Sequence, residues 1–262
     1  MGATLELTTW ADGVAEIVLS RPELLNRFDR ELHHDLTETL RALRADESVR
    51  AIVLASTGSA FSAGGDFALM RAANEDAAVR RTIIDDAGAL LDAFLAVPQP
   101  IIAAVQGPAI GLGATVVLAC DAVVAVRSAT LADTHVAIGL VAGDGGCLVW
   151  PASAGMLRAR RHLLTGDPLT AETAFQLGLV TDLVDEADQV RAEALKLALR
   201  IAQLAPLAVQ GTKRVLNQLS RQRAGEVVDL ALSYEEMTLG SADLREGVEA
   251  FTERRKPKFT GA

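Results

Sequence analysis

The chain has 262 residues, half of them hydrophobic, and a net charge of −9. This length can bury a sizeable core in one large domain or in a domain with an appendage. The acidic balance argues against a protein that tracks nucleic-acid phosphates, because such proteins gather Lys and Arg on one face. The longest apolar stretch, residues 101–126, is interrupted by Gln106, Asp121 and several glycines. We therefore expect neither a nucleic-acid partner nor a membrane partner.

The N-terminus and the cysteines indicate a cytoplasmic protein. The first ten residues, MGATLELTTW, lack the basic and apolar segments of an export signal, and Glu6 stands where a myristoylation signal has Ser or Thr. Cys120 and Cys147 lie in apolar surroundings without CxxC or Cys/His spacing. That pattern predicts free thiols in a reducing compartment, and neither a disulfide nor a metal site.

The chain opens with the pattern of a β-hairpin followed by a helix and a strand. Apolar and polar residues alternate on both sides of Asp12-Gly13 in TLELTTWADGVAEIVLSRP, which is typical of a tight turn between two strands. Asp29 can then cap a helix whose leucines recur at helical spacing, at positions 32, 36, 40 and 43. The run VRAIVLAS predicts the next strand.

Two further cycles of helix and strand follow. A long amphipathic helix extends through Phe94 and ends before Pro98 and Pro100, and IIAAVQ is the strand after it. The third cycle begins at GPAIGLGATVVLACD and returns as AVVAV. Near-continuous apolar strands joined by helices predict an α/β core whose sheet is covered on both faces.

The last quarter of the chain reads as helical. From about residue 186 the strand patterns stop, and helical patterns cover 186–204, 206–219 and 224–239, with a last helix opening at Ser241. We divide the chain into an α/β core at residues 1–195 and a helical C-terminal region at residues 196–262. The basic ending FTERRKPKF is, by itself, typical of a solvated surface.

Three apparent motifs fail on closer reading. GLGATV lacks the third glycine of a dinucleotide fingerprint, because Val116 occupies that position. AFSAG imitates a nucleophile elbow, but Ala60 stands where glycine is needed, so Ser62 is not expected to be a nucleophile. His33 and His34 are adjacent on a helix and point in different directions, which disfavours a metal pair.

Two glycine-containing turns, SAFSAGGDF and GPAIGLGATV, each follow an apolar strand and open a helix. They are compatible with simple tight packing between strand and helix. Alternatively, the unsatisfied backbone N–H groups of the two helix starts face one point and stabilise a developing oxyanion.

The sequence resembles the crotonase (enoyl-CoA hydratase/isomerase) superfamily. The resemblance rests on five segments: SRPELLNRF, AFSAGGDF, VQGPAIGLGATVVLACD, LLTGDPLTAETAFQLGLVTDLV and FTERRKPKF. It implies a spiral core of repeated ββα turns, a C-terminal all-helical trimerisation region, and an acyl-CoA thioester substrate, with a place in fatty acid metabolism. It also implies a homotrimer or a dimer of trimers, with no cofactor beyond the CoA moiety of the substrate.

The resemblance carries over specific residues. It assigns the oxyanion donors to the N–H groups of Gly65 and Leu112. It assigns CoA contacts to several positions along the chain, and these are Arg21, Leu24, Leu25, Ser62, Ala63, Asp66, Phe251 and Arg254. The last two belong to the C-terminal helix and often close over the nucleotide of a neighbouring subunit, which replaces the simple surface interpretation of the basic ending.

The catalytic acids depart from the hydratase pattern. The two glutamates of hydratases fall on Thr115 and His135 here, although hydration needs one group to activate water and another to protonate the α-carbon. Asp144 lies where some isomerases of the superfamily carry their single acid/base group. We expect an apolar pocket to raise its pKa. Because Asp144 precedes GGCLVW, it can also cap a short helix, and the two roles can coexist.

His135 has two interpretations. It is either a buried histidine satisfied by a backbone partner, or a substitute for the missing glutamate, oriented by Asp133. The leading hypothesis is double-bond isomerisation of an acyl-CoA thioester through an oxyanion-stabilised enolate, with proton transfer by Asp144. The alternatives are hydration or dehydration by His135 and Asp144, a non-catalytic acyl-CoA binder, and nucleophilic catalysis through an ester on Asp144. The helical segment at residues 67–97 is expected to shape the acyl pocket.

Overall fold

The computed structural model of the protein describes residues 4–262, so the first three residues, which belong to the N-terminal targeting interpretation, lie outside it. The predicted hairpin is confirmed: strands Leu5–Thr9 and Val14–Leu19 pair antiparallel. Gly13, at a φ of +86°, supplies the left-handed conformation of the turn.

The strands form two sheets. In chain order they are β1 (Leu5–Thr9), β2 (Val14–Leu19), β3 (Ala51–Ser56), β4 (Ile101–Val105), β5 (Ala109–Ile110), β6 (Ala122–Val126), β7 (Thr130–Ala132), β8 (Leu169–Thr170) and β9 (Asp182–Val184). The larger sheet has the order β1-β2-β3-β4-β6-β9 and is parallel from β2 onward. The smaller sheet has the order β5-β7-β8. Its first strand, β5, lies within the second glycine-containing turn, GPAIGLGATV.

Helices cover both faces of the larger sheet and form the C-terminal region. They are α1 (Arg30–Ala45), α2 (Phe67–Glu75), α3 (Ala77–Ala96), α4 (Leu112–Leu118), α5 (Gly146–Ala154), α6 (Met156–Leu163), α7 (Ala171–Leu177), α8 (Gln189–Ala202), α9 (Pro206–Leu239) and α10 (Ala242–Thr252). Short 3₁₀ helices occupy Pro22–Leu24 and His135–Ile138. Asp29 caps α1 by accepting the N–H of Leu32, as its sequence position predicts.

The core explains the continuous apolar strands. All six residues of β2 are buried, and so are the first five of β3 and all five of β4. Helix α8 packs against β2, β3, β4 and β6, and the leucines of α1 belong to the same apolar cluster as the strands. A sheet covered on both faces needs strands that are apolar on both faces.

One C-terminal helix differs from the predicted pattern: α9 runs unbroken through 34 residues where two helices were predicted. Residue 195, after which we divide the chain, lies within α8. Several apolar side chains of α9 are solvent-exposed in the single chain, including Leu207, which is 87% exposed. Every helix within residues 4–262 is too short or too polar to cross a membrane. Cys120 and Cys147 are free thiols, as predicted.

Candidate active site

The two glycine-containing loops lie against each other at one end of the parallel strands. Ser62 and Ala109 form a parallel bridge between the loops, and the Ile110 N–H donates to the Ser62 carbonyl at 3.0 Å. A Cβ on Gly64 would lie 2.7 Å from the Ile110 carbonyl oxygen, and one on Gly113 would lie 2.7 Å from the Ser62 Cβ. Only glycine therefore permits this close approach.

The packing of the loops leaves two backbone donors free. Phe28 bonds to Gly64 and Asp66 on either side of Gly65, so the Gly65 N–H is not used in that bridge. Leu112 is the first residue of α4, where an N–H has no partner inside the helix. No acceptor within residues 4–262 takes either N–H. Both residues line one cavity of about 40 Å³, so the structure brings the two predicted donors together.

Asp144 and His135 line the same cavity. With Asp133 they form a buried, hydrogen-bonded cluster of one histidine between two carboxyl groups. The His135 Nδ1 lies 2.7 Å from the Asp133 Oδ1, and its Nε2 lies 3.3 Å from the Asp144 Oδ2. Burial alone lowers the pKa of His135, but the two flanking carboxylates outweigh burial and raise that pKa well above its ordinary value. The ring is therefore an imidazolium that holds Asp144 in place, and Asp133 orients it.

The expected rise in the pKa of Asp144 is wrong. Burial does raise it, but the His135 imidazolium and hydrogen bonds from the Gly146 N–H and Thr115 bring the pKa below its ordinary value. Thr115 donates from Oγ1 to the Asp144 Oδ1 at 3.3 Å. The position at which the resemblance places a hydratase glutamate therefore supports Asp144 in this chain. Because Gly146 opens α5, Asp144 also stabilises a helix start, although Gly145 is the capping residue itself.

Glu235 also lines this cavity, although the sequence analysis did not predict it as a site residue. It comes from α9, its side chain is 4% exposed, and its Oε2 has no hydrogen-bond partner within residues 4–262. Burial raises its pKa well above the ordinary value, and the negative charge of Asp144 raises it further. The spacing of apolar residues could have predicted that Glu235 is buried, because it lies four residues from both Ala231 and Leu239, the buried residues of its helix face.

His33, rejected as a metal ligand, is also part of the cavity wall. Its Nδ1 lies 3.0 Å from the Asp29 carbonyl oxygen, and its ring meets Phe28 edge-on at 5.3 Å. Burial lowers the pKa of His33, which keeps the ring neutral near neutral pH. His33 thus adds a polar but uncharged group to the wall of this cavity.

Three groups lie close enough together to hold a cation. One ligand atom from each of His135, Asp144 and Glu235 falls within 4.8 Å of the others. The His135 ring is already bonded on both nitrogens, so ion pairing within the cluster accounts for its geometry. A wider surface cleft of about 820 Å³ beside α7 and α8 contains none of the predicted site residues.

Two of the predicted CoA contacts near the first loop, Leu25 and Ala63, are joined by a backbone hydrogen bond. The Ala63 N–H donates to the Leu25 carbonyl at 2.9 Å, and both residues are exposed, beside the half-buried Leu24. Ser62 is fully buried, with its Oγ donating to the Asn26 carbonyl and accepting the Gly64 N–H. Its hydroxyl therefore shapes the loop, which agrees with rejecting it as a nucleophile.

Two charged residues of the predicted CoA site, Arg21 and Asp66, are already paired. Arg21 is buried and forms two 2.7 Å hydrogen bonds with Asp29, so it would have to leave Asp29 to reach a phosphate. Asp66 caps α2 through the Leu69 N–H and pairs with Arg27 at 2.5 Å. Arg27 is half-exposed and was not singled out from the sequence.

Phe251 and Arg254 lie at the end of α10, and both are exposed. Phe251 packs edge-on against Phe67, with ring centroids 5.1 Å apart, so α10 covers α2 of its own chain. Arg254 has a φ of +55° and follows the helix. Neither residue lines the cavity that contains Gly65, Leu112 and Asp144.

The fold, with its two adjacent glycine-containing loops, is that of the crotonase superfamily. The family model described as enoyl-CoA hydratase/isomerase matches residues 9–262, and the chain belongs to that family. The members of this family act on acyl-CoA substrates.

Individual relatives match over nearly their whole length. The chain is 33% identical to 1,2-epoxyphenylacetyl-CoA isomerase of Escherichia coli, covering 95% of each chain. It is 37% identical to a probable enoyl-CoA hydratase of Rhodobacter capsulatus, covering 96% of each. A solved enoyl-CoA hydratase/isomerase from Mycobacterium paratuberculosis superposes with a TM-score of 0.90 at 36% identity, covering 95% of this chain and 98% of that one. Both hydratase and isomerase names therefore occur among its relatives.

Proposed function

We propose that this protein shifts the double bond of an enoyl-CoA thioester, with Asp144 as the base and the Gly65 and Leu112 N–H groups as the oxyanion hole. One observation carries the proposal: a buried, ionised carboxylate lies in the same cavity as two unused backbone donors. Such donors stabilise the negative charge that develops on a thioester oxygen when a proton leaves the α-carbon.

The reaction follows from these positions. Asp144 removes an α-proton, the C–H electron pair moves into the thioester, and the two N–H groups hold the resulting enolate oxygen. A proton added at the γ-carbon then completes the shift of the double bond toward the thioester. A single carboxylate is sufficient in principle to take and return this proton. Met70 lies over Gly65, so its flexible side chain must move to admit an acyl chain.

The geometry supports hydration by His135 and Asp144 less well. Both ring nitrogens of His135 are engaged, one by Asp133 and one by Asp144, so the ring is a positioning group and not a free second acid/base. Under this proposal, His135 keeps Asp144 ionised and fixes its orientation. The same arrangement disfavours a purely non-catalytic binder, which has no use for a buried charge cluster in its ligand cavity.

The CoA contacts and the assembly state belong to the same proposal. Leu24, Leu25 and Ala63 offer an accessible edge beside the oxyanion loops for the CoA moiety, and the buried Ser62 and Asp66 shape the loop behind that edge. The exposed apolar side chains of α9 and the position of Arg254 fit an assembly in which a neighbouring subunit completes the nucleotide site, as in a trimer or a dimer of trimers.

The experiment is an isomerase assay with Asp144→Asn. Conversion of a 3-enoyl-CoA to the conjugated 2-enoyl-CoA is followed by absorbance, and CoA binding is measured by calorimetry. We expect kcat to fall by about 100-fold or more, the usual contribution of a general base, with CoA binding retained. The matched control is Asp85→Asn, an exposed carboxylate on α3, which should leave both quantities unchanged.

Three results would contradict the proposal. Asp144→Asn retaining nearly full isomerase activity removes the base. Tight CoA binding with no spectral change across a panel of 2-enoyl and 3-enoyl thioesters by the unmodified protein indicates a binder. Incorporation of solvent ¹⁸O into Asp144 during turnover indicates an ester intermediate instead of proton transfer.

A further inference from the structure

Glu235 occupies an unusual position for a side chain of the C-terminal helices. Helix α9 packs against the loop that carries Asp144, and Gly143 makes that approach possible. A Cβ on Gly143 would lie 2.5 Å from the Ala231 carbonyl oxygen and 2.7 Å from the Glu235 Oε2. The carboxyl group thereby reaches the cavity, buried, with its Oε2 unpartnered.

The charge balance of the cluster requires Glu235 to be neutral. Asp133, Asp144 and Glu235 contribute three carboxyl groups, and His135 is the cation that faces them. The imidazolium is bonded to Asp133 and Asp144 and makes no hydrogen bond to Glu235. A third buried carboxylate without a partner is strongly unfavourable, so the proton stays on Glu235.

We propose that Glu235 is the second acid/base residue of this site: it holds a proton beside the ionised Asp144 and delivers it to the γ-carbon of the enolate. This inference rests on the proposed isomerase function. It goes beyond it by assigning removal and delivery of the proton to two different side chains. The second acid then comes from α9 and not from the two hydratase glutamate positions, now Thr115 and His135.

The step balances without any further reactant. The α C–H bond breaks and its proton forms an O–H bond on Asp144, while the electron pair enters the dienolate. The O–H bond of Glu235 then breaks, and its proton forms the new γ C–H bond as the double bond moves. Glu235 is left ionised and Asp144 protonated. Because their oxygens lie within 4.8 Å, the proton passes from Asp144 to Glu235 through one water and restores the starting state.

The test is a single-turnover reaction with a 3-enoyl-CoA that carries deuterium at both α positions. The unmodified protein should place ordinary hydrogen at the γ-carbon, because Glu235 supplies it. Glu235→Gln should convert the substrate about 100-fold more slowly, and its residual product should carry deuterium at the γ-carbon, returned by Asp144. Glu236→Gln, the next residue on the same helix, should behave like the unmodified protein.

Distinct outcomes separate this inference from the function on which it rests. An unmodified protein that isomerises while Glu235→Gln keeps its rate and label position overturns the role of Glu235 alone. An unmodified protein that converts no 3-enoyl-CoA overturns both proposals. Activity that is lost with EDTA and restored by a divalent cation assigns His135, Asp144 and Glu235 to a metal and also overturns the acid role.

A second measurement does not depend on turnover. The infrared spectrum of the unmodified protein at pH 7 should contain the C=O stretch of a buried protonated carboxyl group. This band should be absent from Glu235→Gln and present in Glu236→Gln. Its absence from the unmodified protein shows that Glu235 is ionised next to Asp133 and Asp144, and the proposal then fails.

Discussion

Replacing His135 with Gln removes the cation from a buried cluster of carboxyl groups. Asp133 and Asp144 each lose a charged hydrogen bond, at 2.7 and 3.3 Å respectively, while both remain almost fully buried. Removing one partner of a buried ion pair costs roughly 3–5 kcal/mol, because the other charge stays buried without compensation. The free energy of unfolding should therefore fall by about that amount.

The effect should depend on pH in a defined direction. The folded-state pKa of His135 lies above its ordinary value of 6.5. The stabilisation from the imidazolium is therefore fully present below pH 6.5, and it is lost as the pH rises through the folded-state pKa. The difference in stability between the unmodified protein and His135→Gln should shrink as the pH increases above 6.5. The groups that face His135 are Asp133, Asp144 and Glu235.

The assay is urea denaturation at one fixed protein concentration, at pH 6 and at several higher pH values. With a slope of about 3 kcal/mol per molar urea, the expected change moves the midpoint by about 1 M or more at pH 6. Gln is close in size, so lost packing contributes little. A midpoint shift below about 0.2 M, or a shift that stays constant as the pH rises, would refute a charged His135 between two carboxylates.

Further predictions concern the contact between α9 and the Asp144 loop. Because the folded-state pKa of Glu235 is raised, this residue destabilises the folded protein as the pH rises from its ordinary pKa of 4.5 to its folded-state pKa. Glu235→Gln should therefore increase the free energy of unfolding, relative to the unmodified protein, progressively across that pH range. Glu236→Gln should not. Gly143→Ala should cost roughly 1–3 kcal/mol of stability and slow isomerisation, because its Cβ meets the Ala231 carbonyl. Gly225→Ala is the contrasting case: Gly225 lies in α9 with open space around it, so this substitution should stabilise the protein by about 0.5–1 kcal/mol.

The sequence predicted well those features that depend on neighbouring residues. The Asp12-Gly13 turn, the Asp29 cap and the helix after Gly145 all follow from local chemistry, and the structure contains each of them. Helix α9 differs because residues 220–223, which separate its two predicted halves, are all polar and leave a local gap in the apolar pattern that predicted the helices. The long helix packs against α3 and α5, and tertiary contacts override such local preferences.

The chemistry of the site was less accessible from the sequence. The glycine patterns and the family resemblance indicated Gly65, Leu112 and Asp144, and the structure brings these three to one cavity. The pKa of Asp144 was predicted in the wrong direction because the sequence does not reveal that His135 bonds to it. Glu235 is far away along the chain, and only the packing of α9 onto Gly143 brings its carboxyl group into the cavity.

The most direct test of the central claim is a crystal structure of the protein with a non-reactive 3-enoyl-CoA analogue. We expect the thioester oxygen to lie within about 3.1 Å of both the Gly65 and Leu112 nitrogens, and an Asp144 oxygen to face the α-carbon. A thioester oxygen bound elsewhere, or an Asp144 carboxylate with no line of approach to the α-carbon, would contradict it.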